Sequence, residues 1–282
     1  MKNMSRKSAL ALLAATAAIA LTACNSSTAG TPGMADLSEG YTGPALNTDA
    51  PDEATQLAPG VDIRVGTGKN AVTCTAGWMF SFDTSAVAMT IPGHCARAGA
   101  GAPVTFEYLE QGKTKTLNGT ETVTIGKVID TSYKEPYTAD NPDIAVVLID
   151  KGVEDKVPVT PAAGGKVVTN EPTPIYPKNA AQEAGAKVCW YSGAEHMEYT
   201  VGKQSCGKMV SGAGNKILVK PDKPEEFEPV VAGAPAIITL GPKNTVPLGI
   251  VTDMYKDHIV VDVLDTVVDS VNGKILTASL PK

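Results

Sequence analysis

An all-β fold is predicted by three features of this 282-residue chain. From Val61 onward, short apolar runs rich in Val, Ile and Thr recur at spacings of about 10 to 20 residues. Gly, Pro, Asn or Asp stand between them, which is the chemistry of turns. Helical periodicity is almost absent until the C-terminal end. A sandwich or a barrel answers to this pattern, and about 220 residues suffice for one large β domain or two packed barrels.

The chain opens differently. Lys2, Arg6 and Lys7 precede an apolar run, Ala9 to Leu21, of signal-peptide length and too short to cross a bilayer comfortably. The run ends in Leu21-Thr22-Ala23-Cys24, which resembles a bacterial lipobox. That resemblance implies removal of residues 1–23, a diacylglycerol on the Cys24 thiol and a lipid anchor on the outer face of a cell membrane. Two or three acyl chains hold a protein to a membrane far better than one. Residues 24–60 are Ser, Thr, Gly, Pro, Asp and Ala with little apolar content, and read as a disordered tether. Residues 61–282 form the folded domain.

Loss of the leader removes three positive charges and no negative one, taking the net charge from −6 to −9. Only Arg64 and Arg97 then remain as arginines. Such an acidic surface suits nucleic acid poorly, since phosphate backbones demand a basic face. Four cysteines follow Cys24: Cys74, Cys95, Cys189 and Cys206. An even set in an oxidising compartment points to disulfides, with three possible pairings, of which the local one is simplest. A zinc site competes with this reading, but no Cys-x-x-Cys spacing occurs.

The strand candidates run from "VDIRVG" through "TCTAGWMFSF", "AVAMTI", "VTFEYLE", "TVTIGKVID" and "DIAVVLI" to "AKVCWYS", "KILVKP", "PAIITLG", "VPLGIVTDM" and "HIVVDV". In "VLDTVVDSVNGKIL", Val263, Val267 and Val271 stand at four-residue steps beside Leu264 and Val268. This predicts one short C-terminal helix closed by Gly273.

His94, in "TIPGHCA", is the candidate with chemistry around it. "CTAGWMF…TIPGHCA" resembles the histidine segment of the chymotrypsin-like serine proteases. "NPDIAVVLI" resembles their aspartate segment, with Asp143 as the aspartate, 49 residues after His94. "VCWYSGAEHMEYTVGKQSCG" resembles the paired-cysteine hairpin of the secreted bacterial branch, the streptogrisin and α-lytic protease type, with a longer tip. The resemblance covers Val61 to Lys282. It implies two packed six-stranded antiparallel β-barrels, His94 and Asp143 in the first, and disulfides Cys74–Cys95 and Cys189–Cys206.

In that family the nucleophile stands in Glu-Pro-Gly-Asp-Ser-Gly-Gly-Pro. Here the corresponding stretch is "EPVVAGAPA". Glu228, Pro229, Gly233 and Pro235 keep the frame, while Ala232 falls on the serine. Val230 falls on the glycine that supplies one oxyanion N–H, Val231 on the aspartate and Ala234 on the second glycine. Serine attack needs a hydroxyl, a base and an oriented imidazole. Ala232 has no nucleophilic atom, and Val230 lacks the freedom of φ that glycine brings.

Other candidates have plainer readings. Ser211 in "MVSGAG" and Ser192 in "WYSGAE" are turn serines. His196 lies in the cysteine hairpin and His258 starts a strand. The three histidines are not at metal-ligand spacing, so no metal and no cofactor is expected. "KPDKPEEFE" reads as a solvated loop. The resulting expectation is a lipid-anchored pseudoprotease that binds a peptide, protein or envelope ligand. An active endopeptidase with a displaced nucleophile and a structural envelope lipoprotein are the alternatives.

Overall fold

The structure is a computed structural model. It describes residues 44, 46–82, 86–110, 120–135, 141–161, 185–192, 203–213, 215–223, 232–239, 245–264 and 274–276. The expected leader, Cys24 and His196 lie outside the described residues.

Fourteen strands are described. They are β1 (Asp62–Val65), β2 (Val72–Thr75), β3 (Met79–Phe82), β4 (Ala86–Pro92), β5 (Pro103–Leu109), β6 (Thr120–Thr131) and β7 (Ile144–Ile149), then β8 (Lys187–Ser192), β9 (Lys203–Ala213), β10 (Lys216–Pro221), β11 (Pro235–Thr239), β12 (Thr245–Tyr255), β13 (His258–Val263) and β14 (Lys274–Ile275). The second half of the chain forms a closed six-stranded barrel, in the order β10-β13-β12-β11-β8-β9. Closure removes every exposed edge. Every strand pair in the two sheets is antiparallel.

The first sheet departs from the expected six strands. It has eight, in the order β14-β3-β4-β7-β6-β5-β1-β2. It curls, because Gly77 just after β2 donates its N–H to Thr90 O of β4, and Thr90 returns a bond to Trp78 O. The eighth strand comes from the C-terminus. Lys274 and Ile275, just past the Gly273 expected to close the helix, pair with Ser81 and Phe80 of β3. β3 offers them an edge that is otherwise unpaired in this sheet. Val263, the first residue of the expected helical pattern, ends β13. Residues 265–273 of that expected helix, with Val267, Val268, Val271 and Gly273 among them, lie outside the described residues.

Alternation along the strands sorts side chains between three apolar clusters. Ile259, Val261 and Val263 of β13 point into the closed barrel with Ile217 and Val219 of β10. Ile63, Val104, Phe106 and Ile125 fill the first sheet's concave face. A third cluster joins Trp78, Phe80 and Ile144 of the first sheet to Cys189, Ile237 and Ile250 of the barrel. The Trp78 indole N–H donates to Gly249 O at 2.9 Å, so this buried ring is satisfied across the boundary.

Residues 54–60, expected from sequence to belong to a disordered tether, are packed against the sheet. Ala54 bridges to Tyr108 and Leu57 to Val159, and Leu57 is wholly buried. Gly60 donates its N–H to Ala76 O at 2.7 Å. Low apolar content concealed this, because one leucine and a few alanines suffice when backbone hydrogen bonds to the sheet do the rest.

Asp62, buried at the start of β1, accepts the Asp52 N–H at 3.2 Å. Burial pushes its carboxyl up from 3.8 to about 6, the Asp52 N–H pulls it down, and the Asp52 charge pushes it up again. An acid raised in the folded state binds protons there that the unfolded chain has released. Stability from this site is therefore full below about pH 4 and is lost as pH rises through about 6. Asp62→Asn should stabilise the protein at pH 7 by about 2 kcal/mol, and the gain should vanish near pH 4. Urea unfolding of both proteins across that range measures it. A gain that persists undiminished at pH 4 would assign the effect to something other than the charge.

Candidate functional site

Strand pairing brings His94 and Asp143 together. β4 and β7 are neighbours, with Pro92 opposite Ile144. His94 follows Pro92 in a short 3₁₀ turn, Gly93–Ala96, and Asp143 immediately precedes β7. Gly93 donates its N–H to Asp143 O at 3.0 Å. The Asp143 carboxylate receives the His94 backbone N–H at 2.7 Å on Oδ1 and faces the ring Nδ1 at 2.6 Å with Oδ2. Both side chains are buried, His94 to 1 % exposure and Asp143 to 0 %. With Nδ1–H donated to the carboxylate, a neutral ring keeps its lone pair on Nε2, the geometry of a general base. Among the described residues, no hydrogen bond reaches Nε2.

Tyr133 stands beside the imidazole, edge-on, with ring centroids 6.5 Å apart. Arg97 lies over the tyrosine ring at 5.5 Å, donates to its hydroxyl at 3.1 Å, and pairs with Glu135 at 3.4 Å.

The two disulfides join Cys74 to Cys95 and Cys189 to Cys206. The first ties β2 to the turn that holds His94. The second crosses the paired strands β8 and β9, where Cys189 and Cys206 are register partners. Cys74, His94 and Cys95 offer three potential ligand atoms within 4.8 Å of one another. The two sulfurs are bonded to each other, so neither is a thiolate and the set does not fit a metal centre.

The small-residue corner packs against β2. Thr75 donates its N–H to Ala232 O at 2.8 Å, Gly233 donates to Val251 O at 2.7 Å, and Val251 donates to Ala234 O at 2.8 Å. Gly233 has φ +114°, a conformation that side chains disfavour. A β-carbon there would lie 1.8 Å from Thr75 O. Ala232 is partly exposed, next to this contact. A short path, Ala232 to Thr75, Cys74, Cys95 and His94, thus links the corner to the imidazole's turn. Glu228, Pro229, Val230 and Val231 lie outside the described residues, and with them the expected oxyanion position.

Three residues that sequence reasoning missed sit behind Asp143. Asp262 and Lys216 form a fully buried ion pair, with Nζ 2.7 and 2.8 Å from the two carboxylate oxygens. Thr252 donates its hydroxyl to Asp262 Oδ2 at 2.6 Å. The Asp143 N–H donates to Asp262 Oδ1 at 3.1 Å. Burial pushes the Asp262 carboxyl up, Lys216 pulls it down, and the Asp143 charge raises it again. A charged residue inside the apolar run "HIVVDV" was the signal that could have found it. Nearby on β12, burial pushes Asp253 up from 3.8 to about 6, against the pull of the Met254 N–H.

The remaining candidates fall elsewhere. Ser211 lies on β9 opposite Leu218, and its buried hydroxyl has no hydrogen-bond partner among the described residues. Ser192 ends β8 opposite Lys203. His258 starts β13, buried, with Nδ1 2.6 Å from Asp257 Oδ1.

No protein-family model and no curated protein matches the sequence. Among solved structures, the chain is similar to Cellulomonas bogoriensis chymotrypsin at 14% identity and a TM-score of 0.45, covering 80% of this chain and 100% of that one. It is similar to a Nocardiopsis protease at 14% identity and a TM-score of 0.47, with the same coverage. It is also similar to an α-lytic protease homologue, N4, at 14% identity and a TM-score of 0.44, covering 77% of this chain and 98% of that one.

Proposed function

We propose that this chain is a chymotrypsin-like pseudoprotease, lipid-anchored through Cys24 on the outer face of a membrane. It binds a peptide, protein or envelope ligand in the cleft beside His94 without cleaving it. The observation that carries this reading is Ala232, which has no nucleophilic atom in the corner that packs on Thr75. The retained His94–Asp143 pair, the Cys74–Cys95 link beside it and the closed second barrel support the inherited fold. A base without a nucleophile can at most activate water, a weak residue of the original chemistry.

Ser211 does not favour the alternative of a displaced nucleophile. Its hydroxyl is on β9, and no base meets it among the described residues. Incubation of the purified protein with a fluorophosphonate probe should leave every serine unlabelled, as read by intact mass. Stoichiometric labelling of any serine would replace this reading with that of an active endopeptidase.

A further inference from the structure

We propose that Lys216, Asp262 and Thr252 of the closed barrel are positioning residues that fix Asp143, and through it the imidazole of His94, across the boundary between the two sheets. The role holds whether or not the site cleaves anything.

Strand alternation sets which way these side chains point. Ile217 and Val219 of β10, and Ile259, Val261 and Val263 of β13, point into the barrel. Lys216 and Asp262, register partners on those strands, therefore point out of it. On β12, Ile250 faces the cluster shared with Trp78 and Ile144, and Thr252, the unpaired residue of a bulge two positions on, turns its hydroxyl to Asp262. The outward charges are nevertheless wholly buried, 0 % exposed on both sides. Asp143, just ahead of β7, meets them there, its N–H donated to Asp262 Oδ1.

Asp143 is consequently held on both sides of its main chain. Its N–H is bound by Asp262 and its C=O by the Gly93 N–H. Only its side chain is left to choose a direction, and that is set by two bonds from His94. Asp262 in turn cannot rotate without breaking bonds to Lys216, Thr252 and Asp143 together.

Stability alone does not call for this cluster. A buried ion pair replaced by apolar side chains of similar volume commonly leaves a protein as stable or more so. What apolar side chains cannot do is accept the Asp143 N–H in a fixed direction. The cluster's contribution is orientation.

The test reads the His94 Nδ1 proton in the full chain by NMR. Donated to a carboxylate in a buried site, it should resonate far downfield and exchange slowly, and His94→Ala identifies it by its loss. In Lys216→Met/Asp262→Leu, the far-UV circular dichroism and the slow amides of β6 should persist. The imidazole proton should move upfield and exchange about tenfold faster. Asp262→Asn, which keeps an acceptor for the Asp143 N–H, should stay nearer to the wild type. An unchanged resonance and exchange rate in the folded double variant overturns the proposal. Where that variant does not fold, Thr252→Val decides on the same readout: a faster-exchanging proton supports the cluster's role, and an unchanged one overturns it.

Discussion

Ala232→Ser should turn a silent protein into one that takes up a fluorophosphonate, and adding His94→Ala should abolish that uptake. The imidazole already has the arrangement that serine activation needs: Nδ1 faces Asp143 Oδ2 at 2.6 Å, and no described group occupies Nε2. A hydroxyl on residue 232 that comes within hydrogen-bond reach of Nε2, roughly 2.6–3.2 Å, can surrender its proton. Repair should remain partial. The family resemblance sets Val230 and Val231 where a glycine and an aspartate shape the oxyanion donors, and one such donor is worth about 10²–10³ in rate. Labelling of the single variant should therefore be slow, measurable over hours by intact mass. Adding Val230→Gly should quicken it. Uptake that survives His94→Ala would mean that residue 232 does not face the imidazole. The corner would then be only a small-residue turn.

Gly233→Ala should be among the most damaging single changes in the chain. The β-carbon would sit 1.8 Å from Thr75 O, well inside contact distance, and the residue would be held at φ +114°. The corner cannot yield locally. Its neighbours are tied by the Thr75 N–H bond to Ala232 O and by the Gly233 N–H bond to Val251 O. Relief of the overlap must break one or both, where Gly233, Ala234 and Thr75 are all buried. Backbone strain and lost hydrogen bonds together place the cost at about 4 kcal/mol or more. For a domain of this size that is a fall of roughly 10 °C or more in melting temperature. Thermal circular dichroism measures it, with Gly68→Ala as the comparison. That glycine also has positive φ, +60°, but a β-carbon there meets nothing within 4 Å. A Gly233→Ala protein that melts no lower than Gly68→Ala would contradict the packing described for the corner.

The same comparison of neighbours explains what could be read ahead of the structure. "AVAMTI" and "DIAVVLI" announce strands by their own residues, and β4 and β7 are found there. The pairing of Lys274 and Ile275 was not legible, because a two-residue strand carries no periodicity of its own. Lys274 and Ile275 take the edge of β3. The stretch from Pro51 to Gly60 hid its packing in another way. Its composition is that of a tether, but its backbone finds partners at Glu107, Pro158 and Ala76.

By itself the sequence determined the β class, the even set of cysteines beyond Cys24, and the absence of a hydroxyl at residue 232. Each of these is a property of local periodicity or of residue identity, and needs no knowledge of neighbours in space. Tertiary structure alone decided that His94 and Asp143 meet, because that depends on β4 pairing β7 with Pro92 opposite Ile144. It alone decided that Lys216 and Asp262, 46 residues apart, share one buried site under Asp143. The reason is desolvation. A charge leaves water only where a distant partner compensates it, and strand register and sheet packing select that partner.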